Sequence, residues 1–176
     1  MDELTEILQI TESDAQIRAV LISGHGTVFS SGIDLPSITS PKCTGSFIDN
    51  LIAALRKFLL QIASYPKILV AGVNGPAEGL GTAMLPLFDL VYASDTATFH
   101  MAYTTLGQVP EAGASISLAQ RVGVSLANEL LLAGRRLTAR EALQRGLVSD
   151  LLFPKNYEQE VILRCARMSI QSAMVS

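Results

Sequence analysis

Two apolar runs each break off into glycine, and this pattern limits the possible folds more than any other feature of the chain. Val20-Leu21-Ile22-Ser23-Gly24 leads on to Val28-Phe29-Ser30-Ser31-Gly32-Ile33-Asp34-Leu35, and Leu69-Val70-Ala71-Gly72-Val73-Asn74-Gly75 leads to Gly79-Leu80-Gly81. A short run that is apolar at successive rather than alternate positions reads as a strand covered on both faces, as in parallel sheets. Parallel strands need long crossovers, and segments of helical period supply them here. Leu4, Ile7, Leu8 and Thr11 predict a helix over 2–16, ahead of a strand at 18–23. Gly24, Gly26, Gly32 and Pro36 mark an irregular loop over 24–45. Phe47, Leu51, Leu55, Phe58 and Ile62 then step by three or four as one face of an amphipathic helix, and 67–74 is the second strand.

The alternation continues to the end of the chain. Helical turns are expected over 82–88, then short strands at 90–93 and 97–101 joined by the turn Ser94-Asp95-Thr96. Helices follow at 115–122 and 125–133, and Thr138-Ala139-Arg140-Glu141 is a capping box opening another that Gly146 ends. A last strand at 147–152 precedes a terminal helix capped by Asn156 and running to Ala173. No repeat, linker or low-complexity stretch interrupts the chain, so the reading is a single α/β domain over 1–176.

Composition narrows the function. Hydrophobic residues make up 49% and charged residues 16% of the 176, against about 25% charged in ordinary soluble domains. Such a chain buries enough surface to order itself. Its most apolar stretches, 68–73 and 126–133, fall far short of the ~20 residues that span a bilayer. A net charge of −3 and a pI near 5.3 argue against a nucleic-acid partner, which needs clustered Lys and Arg. Cys43 and Cys165 lie far apart without metal-ligand spacing, compatible with two free thiols or one long-range disulfide. The acidic start Met1-Asp2-Glu3 is no signal or transit peptide, and Ala173-Met174-Val175-Ser176 is no address tag. An intracellular protein is expected, with peroxisome, mitochondrion and nucleus left open.

The chain carries no phosphate-binding Gly-Lys-Ser/Thr loop, HExxH, CxxC or Gly-x-Ser-x-Gly motif. No metal site is expected. His25 and His100 have no nucleophile at fixed spacing and read as ordinary hydrogen-bonding histidines. The two glycine junctions remain. Ligands of α/β domains bind beyond the carboxyl ends of strands, where such loops expose backbone N–H groups. Taken singly each junction is a turn; converging, the two would aim two main-chain donors at one oxygen, an oxyanion hole.

Three stretches together resemble the crotonase superfamily of enoyl-CoA hydratases and isomerases. They are Phe29-Ser30-Ser31-Gly32-Ile33-Asp34-Leu35; Val73-Asn74-Gly75-Pro76-Ala77-Glu78-Gly79-Leu80-Gly81 with Asp89-Leu90-Val91-Tyr92-Ala93-Ser94; and 130–133 with Leu137-Thr138-Ala139-Arg140-Glu141-Ala142 and Gly146-Leu147-Val148. The resemblance implies a spiral of ββα units and an acyl-coenzyme A ligand, with coenzyme A as part of the substrate and no separate cofactor. It also implies that Ile33 and Leu80 donate their backbone N–H groups to the thioester oxygen. Ser30, Ser31, Gly32, Asp34, Leu35, Gly79, Gly81, Ala83 and Tyr103 are then the substrate-binding positions. Asp34 is equally a candidate helix cap. Glu78 is expected to be exposed, and Lys42, Lys67 and Lys155 to be either solvated or near the nucleotide phosphates.

The acid–base positions discriminate within the family. Hydratases carry two glutamates where this chain has Ala83 and Tyr103, so water addition is disfavoured. Tyr103 is left as core, as acyl-pocket lining or as a hydrogen-bonding group. Leu106-Gly107-Gln108-Val109-Pro110-Glu111-Ala112-Gly113 resembles instead the peroxisomal-type Δ3,Δ2-enoyl-CoA isomerases of fatty acid β-oxidation, which makes Glu111 the catalytic base. Ala112 departs from that pattern, which has glycine. The alternative is a binding module without turnover, as in chromodomain-Y-like proteins, which resemble the same subfamily and use the domain as a corepressor part. The related ClpP-like serine peptidases require a Ser/His pairing that is not present. Relative to the family the chain is expected to lack an N-terminal strand pair and the C-terminal helices that cover the pocket. Its apolar excess is then surface for self-association, a homotrimer by resemblance.

Overall fold

The structure is a computed structural model that describes residues 1–40 and 44–173. Four parallel strands form the main sheet in the order β1 (Ala19–Ser23), β2 (Ile68–Val73), β4 (Leu90–Ser94) and β7 (Asp150–Leu152). Val20 pairs with Leu69, Ala71 with Val91 and Ala93 with Leu151. The continuous apolar pattern has its expected cause, because both faces are covered. Leu69, Ala71, Val73, Val91 and Ala93 face a core that includes Leu8 of α1 (Asp2–Ser13) and Phe58 and Ile62 of α3 (Gly45–Ala63). On the opposite face Leu21, Tyr92 and Leu152 meet Tyr157 and Val161 of α8 (Tyr157–Ala173). Arg164 holds α8 down by pairing with Asp150 and Glu160 and lying 5.3 Å from the centre of the Tyr92 ring.

A second sheet of three very short strands lies in the order β3 (Ala77–Glu78), β5 (Thr98–His100) and β6 (Leu137–Thr138). β3 pairs parallel to β5, and β5 antiparallel to β6. The turn Ser94-Asp95-Thr96, closed by a 3.0 Å bond from the Ala97 N–H to the Ser94 carbonyl, therefore carries the chain from one sheet to the other. The remaining helices are α2 (Leu35–Thr39), α4 (Leu80–Ala83), α5 (Ala114–Val122), α6 (Val124–Leu131) and α7 (Ala139–Gln144).

Several expectations shift by a few residues for identifiable reasons. The first helix ends at Ser13 instead of residue 16 because Asp14 turns extended and its carboxylate takes the Gln16 N–H at 2.8 Å. The loop over 24–45 contains α2, which Pro36 helps to start. The strand placed at 147–152 begins only at Asp150, since the Leu147 and Val148 N–H groups fold back onto the Ala142 carbonyl to close α7. The capping box is formed in full: Thr138 Oγ1 accepts from the Glu141 N–H, and Glu141 accepts from the Thr138 N–H. These bonds and Arg135 hold the Glu141 carboxyl down to about 2. The stripe on α3 is only half used, with Phe58 and Ile62 buried but Phe47 45% exposed.

Candidate active site

The two glycine loops are laced together by main-chain bonds. The Phe29 and Ser30 N–H groups donate to the Pro76 carbonyl at 3.0 and 3.3 Å, and the Glu78 N–H donates to the Ser30 carbonyl at 2.9 Å. Ser30 and Ala77 thus form a parallel bridge between the loops. Such closeness leaves no room for side chains. A Cβ on Gly75 would lie 2.0 Å from the Thr27 carbonyl oxygen, and one on Gly81 would lie 2.6 Å from the Ser30 Cβ. Gly32 and Gly79 both have positive φ, +84° and +52°, and bring Ile33 and Leu80 to the same place. The Gly79 N–H is tied to the His100 carbonyl of β5 at 2.9 Å. Neither the Ile33 nor the Leu80 N–H has an acceptor among the described residues.

Both residues line a cavity of about 690 Å³, together with Ser31, Gly32, Glu78, Gly79, Tyr103 and Glu111. Its far segment, 102–109, is a compact turn in which the Gln108 N–H donates to the Tyr103 carbonyl at 2.8 Å. The carboxylate of Glu111 is half-buried, and its Oε1 accepts from the Tyr103 hydroxyl at 3.3 Å. Burial raises the Glu111 pKa above its ordinary value, and the tyrosine bond offsets part of that rise. Tyr103, buried at 3% exposure, has its phenol pushed well up by burial and then by the neighbouring carboxylate. After Glu111 the chain turns through Ala112 at φ +55° and Gly113 at φ +66° into α5. Ala112 is the one non-glycine residue with positive φ among the described residues, at the position where the isomerase pattern has glycine.

The structure brings Ser31, Gly32, Ile33, Gly79, Leu80, Tyr103 and Glu111 to one cavity and places the other expected positions around it. Ser30 supports the loop, its Oγ accepting the Gly32 N–H at 3.2 Å, and Gly81 packs against it. Ala83 is fully buried in the core and is not among the residues that line the cavity. Asp34 is the N-cap residue of α2 but makes no side-chain cap bond; it lines a neighbouring groove. Leu35 opens α2. Glu78 is not the solvated carboxylate expected. It pairs with Arg136 and, at 2.7 Å, with the His100 Nδ1, an arrangement visible only once β6 lies beside β5. Lys67 is spent on the end of α1, its ammonium donating to the Thr11 and Asp14 carbonyls at 2.6 Å each. Cys165 is a buried free thiol, while Cys43 and Lys42 lie outside the described residues. Among the described residues no helix is long and apolar enough to cross a membrane.

Comparison with known proteins decides the family. A model described as enoyl-CoA hydratase/isomerase matches residues 1–176. The chain belongs to this family. Its α/β architecture is the crotonase fold: the crystal structure of an enoyl-CoA hydratase/isomerase from Pseudoalteromonas atlantica T6c superposes with a TM-score of 0.83 at 38% identity, covering 95% of this chain and 64% of that one. The enoyl-CoA delta isomerase 2 of Rattus norvegicus is 44% identical over 145 residues, 82% of this chain and 37% of the relative. The chromodomain Y-like protein 2 of Mus musculus is 40% identical over 162 residues, 90% of this chain and 32% of the relative. The chain thus spans about a third of the length of these two relatives.

Proposed function

We propose that this chain isomerises 3-enoyl-CoA thioesters to trans-2-enoyl-CoA. One observation carries the reading: Glu111 lines the same cavity as Ile33 and Leu80, whose main-chain N–H groups have no acceptor among the described residues. Of the two carboxylates lining that cavity, Glu78 is ion-paired with Arg136 and hydrogen-bonded to His100, whereas Glu111 meets only a tyrosine hydroxyl among the described residues. The Glu111 carboxylate removes a proton from C2, which the thioester carbonyl acidifies. The electron pair moves onto the carbonyl oxygen, and the Ile33 and Leu80 N–H groups stabilise the resulting dienolate, each worth about 3–4 kcal/mol by analogy with other oxyanion holes. The protonated Glu111 then delivers its proton to C4, so one base serves both ends of the shift. Burial strengthens the carboxylate as a base by raising its pKa toward working pH.

The test is turnover of a 3-enoyl-CoA by the native chain and by Glu111→Gln. A loss of about 100- to 10,000-fold is expected, and equal rates would overturn the base assignment. In the native chain kcat/KM is expected to rise with pH through the ionisation of Glu111, with its midpoint above 4.5, the ordinary value for a glutamate.

A second reading has support from the match to chromodomain Y-like protein 2 at 40% identity: a module that binds acyl-coenzyme A without turning it over. Calorimetric binding of a 3-enoyl-CoA with no conversion would favour it. Self-association belongs to both readings, because Ile52 and Leu60 leave an apolar face on α3, with Ile52 58% exposed. Sedimentation velocity is expected to give an oligomer, and a monodisperse monomer would remove this expectation.

A further inference from the structure

Glu111 is restrained from two directions, and only one of them is backbone. The main chain sets its entry to α5 through two consecutive left-handed residues, Ala112 and Gly113. From the side, the Tyr103 hydroxyl donates to Oε1 at 3.3 Å, while Oε2 has no hydrogen-bond partner among the described residues. The Tyr103 ring is packed in the main core and is itself almost fully buried, so the donor has little freedom to leave. We infer that Tyr103 is a positioning residue: its phenol tethers Oε1 of Glu111 and leaves Oε2 as the oxygen that exchanges the proton. The inference deepens the isomerase reading and rests on it for the word exchange; the tether itself stands on geometry.

Among the described residues of the cavity, the Tyr103 hydroxyl is the polar group bonded to the carboxylate, and it offsets part of the rise that burial causes. Glu78, on the same cavity wall, is held by Arg136 and His100, and Arg56 of α3 lines a separate groove beside Ala112 and Gly113. Ser31 and Gln108, the other polar side chains of the cavity, carry no charge. A donated hydrogen bond favours the ionised carboxyl, so removing it raises the pKa while also freeing the side chain to rotate. A tether and a purely electrostatic influence therefore differ in what happens at high pH. There Glu111 is fully ionised in either case, and only misplacement slows the reaction.

Tyr103→Phe keeps the ring and deletes the hydroxyl. With a 3-enoyl-CoA substrate, the high-pH plateau of kcat is expected to fall roughly tenfold or more, the worth of a hydrogen bond to a charged group. KM is expected to stay within about twofold, and the acid limb of kcat/KM to move to higher pH. An unchanged plateau overturns the positioning role even if the limb moves. A carboxyl-carbon NMR titration of the unliganded proteins, with the Glu111 resonance assigned through Glu111→Gln, separates this result from the fate of the isomerase reading. If the native chain turns over nothing, the isomerase reading fails, and an upward move of the Glu111 midpoint in Tyr103→Phe still supports the hydroxyl–carboxylate bond on which the tether rests. An unmoved midpoint overturns the tether itself. Matching circular dichroism and melting curves for both proteins exclude loss of fold as the cause.

Discussion

The two walls of the cavity are built on opposite plans. The wall carrying Ile33 and Leu80 is backbone throughout: loops 24–33 and 74–81 are bonded to each other at 2.9–3.3 Å and packed so closely that glycine alone fits at Gly75 and Gly81. The wall carrying Glu111 rests on a turn at 102–108, two left-handed residues and one side-chain bond at 3.3 Å. A main-chain donor survives most substitutions of its own residue, whereas a carboxylate does not. The first wall is therefore sensitive to the volume of its neighbours, and the second to the identity of one side chain.

Substitutions at four positions probe that contrast. Glu111→Gln, with the largest expected loss, removes the chemistry of the second wall. Next comes Leu80→Pro, which deletes one donor at the first position of α4, where proline suits a helix. A loss of about 100- to 1,000-fold in kcat is expected, while Leu80→Met, which keeps the N–H, should stay within a few fold. Equal damage from both would mean that the Leu80 side chain, not its amide, matters. Gly75→Ala pushes a methyl onto the Thr27 carbonyl and is expected to cost about 2–3 kcal/mol, read from urea unfolding. An unaltered midpoint would show that the lacing yields. The smallest effect is reserved for Ala112→Gly. Relief of a left-handed alanine, roughly 1–2 kcal/mol, is largely offset by the entropy of glycine. A net gain of about 0.5 kcal/mol with unchanged turnover is expected. A clear loss would assign the position to the packing of the Ala112 methyl, which touches the core.

Much of the wall carrying Ile33 and Leu80 is readable in the sequence because its signals are local. An apolar run stopping at glycine marks both a strand and the loop that leaves it, and the strands observed at β1 and β2 begin within a residue of those expected. The segment around Glu111 singles it out as the candidate base. The second sheet is not readable in this way. β3 and β6 have two residues each, too short to show any alternation. β5 was read correctly as a strand, but nothing in 94–98 announces that the chain changes sheets there. Glu78 was misjudged for the same reason: its partner Arg136 lies 58 residues away and reaches it only through β6.

The unshared amides of Ile33 and Leu80 have a consequence for deuterium labelling. Within one short stretch the Gly79, Thr82 and Ala83 N–H groups are all bonded internally, while Leu80, only 6% exposed, is not. Exchange with solvent should therefore be fast at Leu80 and slow at Gly79, Thr82 and Ala83. Ile33 should exchange in the same fast class. An acyl oxygen seated between them would slow both amides at once and leave their neighbours unchanged, so occupancy of the cavity registers at two named backbone positions without any label on the ligand.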